Sequence, residues 1–197
     1  DNQRGVVQNE KRQGDNQPGG LVFYEIIKTL YPEGHPYDHT PIGSMADLDA
    51  ASMQDVRDWF TDNYGPNNAT LVLAGDISAA EARPLVEKYF GDIARGPVND
   101  PAEAVVPELQ ADVREVMQDQ VAATSISKYW SVPGILDEDL TALQVGASIL
   151  GGLASSRLDN ILVRDEQLAV GVSAGNFAFQ RVGILNLGAT VKPGVDV

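Results

Sequence analysis

The sequence predicts an α+β fold in which an antiparallel sheet packs with helices. Two observations predict it. Before residue 95, apolar side chains recur at helical intervals in several segments. After residue 110, runs typical of strands alternate with segments of helical period, and a proline-rich stretch separates the two portions. The first portion therefore begins with helices and the second with strands.

The chain is predicted to begin with two helices and a loop. Residues 4–13 have the pattern of the last turns of a helix that Gly14 closes. Residues 21–30 space apolar side chains at helical intervals, so this second helix should bury one stripe. Residues 31–44 are rich in proline and glycine and are predicted as a loop.

Two further helices should flank a buried strand. Ser52 with Asp55, and Ser78 with Glu81, match the pattern of a capping serine and an acidic residue three positions later. Residues 69–74 between them form a continuous apolar run, which is typical of a buried strand. Each helix carries an apolar face, formed by Met53, Val56, Trp59 and Phe60 in the first and by Leu85, Val86, Tyr89 and Phe90 in the second.

Residues 95–110 hold three prolines among polar residues and are the best linker candidate, so we expect one portion at 1–94 and another at 111–197. In the second portion, we expect Ser155 or Ser156 to cap a helix that follows the glycine pair at 151 and 152. The other predicted elements are an alternating segment at 112–118, a strand at 124–132, a helix at 140–150, and strands at 168–174 and 182–191 joined around 175–180.

Composition excludes several function classes. With 28 acidic against 14 basic side chains the net charge is −14, which argues against nucleic-acid binding. The acidic excess indicates a solvated face or, alternatively, a preference for cationic peptides. The absence of cysteine excludes disulfides, thiolate zinc sites and a cysteine nucleophile. No apolar run approaches the ~20 residues that span a bilayer.

The start of the chain, DNQRG, is neither a signal peptide nor a plausible natural beginning. We therefore interpret the chain as a fragment of a longer parent, whose export signal could lie in the missing part. Composition does not identify a compartment, and a periplasmic or secreted parent stays open.

Five sequence landmarks occur in a fixed order: VVQNEKRQ, GHPYDHTPIG, DVRDWFTDNYGPNNATLVLAGD, LVEKYFGD and ILGGLASSRL. In this order they resemble the insulinase/pitrilysin family of zinc metallopeptidases, over nearly the whole chain. The resemblance implies repeated α+β half-domains, with the end of one at 1–94 and the start of the next at 111–197. It also implies a zinc held by two histidines of an inverted HxxEH helix and by a later glutamate.

The resemblance places Glu10 at this third ligand position. An exposed helical glutamate without a metal is the alternative, since most glutamates are exposed. No HxxEH or HExxH occurs in the chain. We therefore expect zinc in the full-length parent, none bound by this fragment, and no activity from the chain alone.

The two histidines, His35 and His39, are four residues apart, a spacing that would place both on one face of a helix. Pro36 and Pro41 make a helix there unfavourable. The resemblance also places this segment in a structural loop, so packing or hydrogen bonding is the preferred interpretation over metal binding.

Two positions depart from the pattern of active relatives. A glutamate about two turns before the ligand is replaced by Gln3, and the tyrosine that would hold the oxyanion is replaced by Val170. Arg164 lies about one residue out of step with the family's arginine and is a candidate substrate contact. Its alternative is a surface arginine that pairs with Asp165 or Asp159.

Two function classes follow. The first is part of a zinc-dependent endopeptidase that degrades short or unfolded peptides with metal-activated water. The alternative is a non-catalytic peptidase-like subunit, such as a chamber wall or a binding partner of an active homologue. Peptide substrates and other half-domains, of the same protein or of a homologous subunit, are the expected partners.

Overall fold

The structure, a computed structural model, describes residues 2–196. Its α-helices are α1 (Asn2–Asp15), α2 (Val22–Leu30), α3 (Met45–Ala50), α4 (Met53–Asn63), α5 (Ala79–Phe90) and α6 (Leu140–Leu150). Its strands are β1 (Ser125–Pro133), β2 (Ala169–Ala178) and β3 (Val182–Val191), with a short 3-10 turn at Pro66–Asn68 and a π-helical segment at Asp159–Asp165. No helix in this range is long and apolar enough to cross a membrane.

The chain divides into two compact units. Unit 1 combines the residues up to Gly43 with those from Glu103 onward, and unit 2 is Ser44–Ala102. These units are not the predicted portions 1–94 and 111–197, which refer to half-domains of a longer parent protein. That division stays a prediction. Residues 95–110 form no helix or strand, in keeping with their proline content.

The sheet of unit 1 is antiparallel, as predicted, with the strand order β1-β3-β2. In the register of the central strand, Leu185 lies opposite Trp130 of β1 and Asn176 of β2. The ladder between β2 and β3 is interrupted by a bulge between Ala169 and Gly171. An antiparallel sheet packed with helices confirms the α+β class.

The core of unit 1 lies between α2 and β3. Ile27, Leu30 and Tyr31 are buried and form one cluster with Val182 and Ile184. The two β3 residues are two positions apart and therefore share one face of the sheet. The predicted apolar stripe of the second helix is thus confirmed, since it packs against this face.

The turn between β2 and β3 is closed by a tight contact with the end of β1. Gly134 donates its N–H to the Arg181 carbonyl at 3.2 Å, and Ile135 donates to the Phe179 carbonyl at 2.8 Å. A Cβ on Gly134 would lie 2.5–2.7 Å from backbone atoms of this turn. A side chain at this position would therefore displace the backbone.

Both predicted capping boxes are present in unit 2. Ser52 accepts a hydrogen bond from the Asp55 N–H, and Ser78 accepts one from the Glu81 N–H, while each acid bonds back to its serine N–H. The apolar faces of α4 and α5 are nevertheless largely exposed, with Trp59 at 67 % and Tyr89 at 66 % of full exposure.

The strand predicted at residues 69–74 is wrong in this structure, since the segment is extended but unpaired. Leu71, Val72 and Leu73 are all exposed. A strand forms only when a neighbour satisfies its backbone groups. Within residues 2–196, no strand pairs with this segment. Unit 2 therefore has the apolar residues of a packed layer, but within residues 2–196 most of them stay exposed.

Three smaller expectations are also corrected. Residues 112–118 alternate but are irregular and exposed, because no described strand pairs with them. β2 continues to Ala178 since its pairing with β3 extends that far, which shortens the predicted connection. Helical residues begin at Arg157, directly after Ser156, as predicted, but the Ser156 hydroxyl has no hydrogen-bond partner among residues 2–196, so the side-chain cap itself is absent.

Candidate metal centre

Glu10, the predicted third zinc ligand, lies on α1 with its side chain exposed. It lines a shallow depression of about 500 Å³ together with residues of α2 and of the loop that follows, among them Phe23, Thr40 and Ile42. Gln3 is seven residues earlier on the same helix, so it shares the face of Glu10. An amide there supplies no negative charge to the surroundings of this carboxylate.

A partly buried ion cluster next to Glu10 joins α1 to α2. The Lys11 ammonium donates to the Tyr24 hydroxyl at 2.7 Å, and this hydroxyl donates to the Asp15 carboxylate at 2.9 Å. Lys11 and Asp15 also form an ion pair at 3.3 Å, in which the lysine side chain is only 9 % exposed. The cluster fixes the last turn of α1, which is the turn that follows Glu10.

The hydrogen bond from Lys11 to Tyr24 raises the pKa of the lysine above its usual range, with Asp15 adding to the effect and desolvation opposing it. The ammonium also lies 4.2 Å from the centroid of the Tyr24 ring. In the sequence, only the i,i+4 spacing of Lys11 and Asp15 indicates this cluster. Tyr24 is thirteen residues from Lys11 and could not be assigned to the cluster from spacing.

A catalytic zinc takes three protein ligands and one water. Among residues 2–196, no group of three or more His, Cys, Asp or Glu side chains could hold a metal ion. The described part of the chain thus brings one carboxylate to the predicted site and no second ligand. By themselves these residues do not fit a resident zinc.

His35 belongs to a packed loop and not to a metal site. Its ring stacks on Tyr31, with centroids 5.0 Å apart. Its Nδ1 accepts from the Tyr37 N–H at 3.1 Å, so Nε2 carries the proton and donates to the Val105 carbonyl at 3.0 Å. Both ring nitrogens are engaged, and the ring ties the loop after α2 to the segment before β1.

His39 is exposed and contacts the carboxylate of its neighbour Asp38 at 2.9 Å. This contact, followed by a hydrogen bond from the Gly34 N–H, lowers the pKa of Asp38. The two histidines therefore have separate partners, which are Tyr37 and Val105 for His35 and Asp38 for His39.

In the second part of unit 1, the guanidinium of the candidate substrate contact Arg164 is already bound to other groups of the chain. Its Nε donates to the Asp159 carboxylate at 2.9 Å, and its Nη2 donates to the Ala154 carbonyl. Asp159 is one of the two structural partners expected for it. Val170 is 55 % exposed and lies within the β2 bulge, where it has no partner across the ladder. The structure therefore places no hydroxyl at the position of the family's tyrosine.

Comparison of the chain with known protein families shows which family it belongs to. The family model of the peptidase M16 inactive domain matches residues 50–197, three quarters of the chain. The chain belongs to this family. Membership confirms the resemblance to zinc metallopeptidases of the insulinase type.

Among curated relatives, this M16 chain is 27 % identical over 197 residues to the zinc protease PqqE of Helicobacter pylori, covering 98 % of the chain and 44 % of the relative. It is 31 % identical over 91 residues to a probable mitochondrial-processing peptidase subunit beta of Schizosaccharomyces pombe, covering 46 % of the chain and 20 % of the relative. The chain thus spans less than half the length of these relatives.

Solved structures share the fold. A protease from Helicobacter pylori matches with a TM-score of 0.77 and 27 % identity, over 98 % of this chain and 47 % of that one. A putative M16-like peptidase from Alicyclobacillus acidocaldarius matches with a TM-score of 0.75 and 24 % identity, over 96 % of this chain and 46 % of the other. The second match supports the fold alone.

Proposed function

We propose that the chain is part of a zinc-dependent endopeptidase that degrades short or unfolded peptides, and that Glu10 is the third zinc ligand of a longer parent. The observation that carries the proposal is the similarity over 98 % of the chain to a protein named as a zinc protease. The position of Glu10 supports it, because the carboxylate is exposed on a helix that the Lys11 cluster holds in place. A ligand supplied to a shared metal site must be both accessible and fixed.

The parent must supply the remaining ligands, so the chain alone should contain no zinc and cleave no peptide. The exposed apolar faces of α4 and α5 support a partner of this kind, since monomeric proteins rarely leave such surfaces uncovered. We propose that other half-domains, of the same protein or of a homologous subunit, cover unit 2.

The test compares the full-length parent with its Glu10→Gln variant for bound zinc and for cleavage of an unstructured peptide. Loss of one ligand should reduce both, while Glu87→Gln, which changes an exposed glutamate on α5, should reduce neither. If Glu10→Gln keeps its zinc, the ligand assignment is wrong.

A non-catalytic subunit is the second candidate. It is favoured by Val170 in place of the tyrosine, by Gln3 in place of the glutamate, and by the engagement of Arg164 with Asp159. A parent that contains no metal and leaves every peptide intact would select this candidate.

A further inference from the structure

A second depression of unit 1 lies where α6 meets the loop that follows it. Its volume is about 540 Å³. Its apolar part is formed by Val145, Ile149 and Leu153, which are 50–57 % exposed. Its polar part includes Ser156 and Arg157 of the SSRL motif. Neither serine nor arginine has a part in the metal centre described above.

The hydroxyl of Ser156 lacks a partner although the residue is only 3 % exposed. The backbone of Ser156 is fully used, since its N–H donates to the Leu153 carbonyl at 2.9 Å and its carbonyl accepts from Asn160 at 3.1 Å. A buried hydroxyl without a hydrogen bond is unfavourable. The backbone thus holds a polar atom in place that no described residue satisfies.

Arg157 is exposed, and among residues 2–196 its guanidinium has no acidic partner. This is unexpected in a chain with twice as many acidic as basic side chains. Arg164 on the same segment shows the alternative, because it pairs with Asp159. Within residues 2–196, the Ser156 hydroxyl therefore has no hydrogen-bond partner and the Arg157 guanidinium no acidic partner, in a chain where acidic side chains outnumber basic ones.

The loop that carries these donors is seated directly on the sheet. A Cβ on Gly151 would lie 2.9 Å from the Cβ and the backbone nitrogen of Ala174 in β2. Gly152 follows with a φ of +85°, which glycine adopts without strain. The glycine pair thus lets the loop approach β2 closely. This contact positions the start of the loop that carries Ser156 and Arg157.

We propose that this depression binds a carboxylate of a peptide ligand. A guanidinium can pair with both oxygens of a carboxylate, and a nearby hydroxyl can donate to one of them. The apolar residues Val145, Ile149 and Leu153 would contact the side chain next to the carboxylate. The inference rests on the proposed function in one respect, namely that the ligand is a peptide.

The test measures peptide binding to the 197-residue chain by isothermal titration calorimetry. The probes are acetyl-Gly-Leu-Leu with a free carboxylate, the same peptide as its C-terminal amide, and acetyl-Glu-Leu-Leu amide, which carries its only carboxylate on a side chain. The free acid should bind about tenfold more tightly than its amide, because a charge-assisted hydrogen bond is lost in the amide. Tight binding of the third peptide would assign the site to acidic side chains instead of C-termini.

Arg157→Gln should weaken binding of the acid about tenfold, and Ser156→Ala should weaken it by a smaller factor. Arg83→Gln on α5 changes another exposed arginine and should leave the affinity unchanged. Arg157→Lys keeps the charge but not the fork of donors, and should bind at an intermediate level. Circular dichroism establishes that each variant is folded.

Equal affinity for the acid and both amides, or full affinity in a folded Arg157→Gln variant, would overturn the proposal. These outcomes are distinct from failure of the proposed function, since binding to the isolated chain requires no zinc. Likewise, a parent without metal would leave the binding result unaffected.

Discussion

Replacing Tyr31 by phenylalanine should change how the stability of unit 1 depends on alkaline pH. Tyr31 is 2 % exposed, and its hydroxyl donates to the Gly183 carbonyl at 3.4 Å. Burial, and then the neighbouring Tyr37, raises its pKa from 10.0 to about 12. The folded chain therefore disfavours the phenolate, which the unfolded chain forms freely.

The sign follows from the raised pKa. The contribution of Tyr31 is fully present below pH 10, and it is lost as the pH rises toward about 12. At about pH 11 the unfolded tyrosine is mostly ionised and the folded one is not, which corresponds to a loss of about 1 kcal/mol in the free energy of unfolding. At neutral pH the variant should differ little, because a 3.4 Å hydrogen bond is long and contributes weakly.

The assay is urea unfolding at about pH 8 and about pH 11 for the unaltered 197-residue chain and for its Tyr31→Phe and Tyr64→Phe variants. Tyr64 is 66 % exposed and serves as the matched control. Titration of Lys11 also weakens the fold at alkaline pH, since its raised pKa means that its contribution is lost as the pH rises through it. That loss is common to all three proteins and cancels in the difference. If Tyr31→Phe loses as much stability as the other two, burial of the phenol does not disfavour its ionisation.

Three further predictions concern local contacts. Gly134→Ala should destabilise unit 1 by about 1–3 kcal/mol in thermal unfolding, because its Cβ meets the backbone of the β2–β3 turn; Gly146→Ala in α6, with nothing within 4 Å, should not. Tyr24→Phe should cost about 1–2 kcal/mol in urea unfolding, since it leaves two charged groups without their shared hydroxyl. Ser78→Ala should speed amide exchange in the first turn of α5. In the unaltered chain the same protection should fall as the pH drops below 4.5, because hydrogen bonds from Ser78 lower the pKa of Glu81 and this contribution is lost when the acid is protonated.

Features that depend on a few neighbouring residues could be predicted from the sequence. The serine of each capping box and the acid three positions later contact each other whatever surrounds them, so both boxes could be read directly. The stripe of α2 was also predictable, because one helical period places Ile27 and Leu30 on the same face.

The candidate site was predictable only in part. Glu10 could be singled out through resemblance to a family, whereas its surroundings depend on contacts between α1 and α2. Nothing in the spacing indicates that Tyr24 lies between Lys11 and Asp15. The bulge at Val170 is likewise set by the register of β2 on β3, which a single strand does not specify.

The unpaired segment 69–74 shows why periodicity predicts a tendency and not a structure. Leu71, Val72 and Leu73 form a continuous apolar run that is typical of a buried strand, yet strand propensity largely measures packing against neighbours. α4 and α5 are formed by local bonds and persist with their apolar faces exposed. A strand has no such local bonds and stays extended until another strand pairs with it. The same argument applies to the candidate metal centre, because one carboxylate on a well-formed helix becomes a zinc ligand only when other parts of the protein supply the remaining ligands.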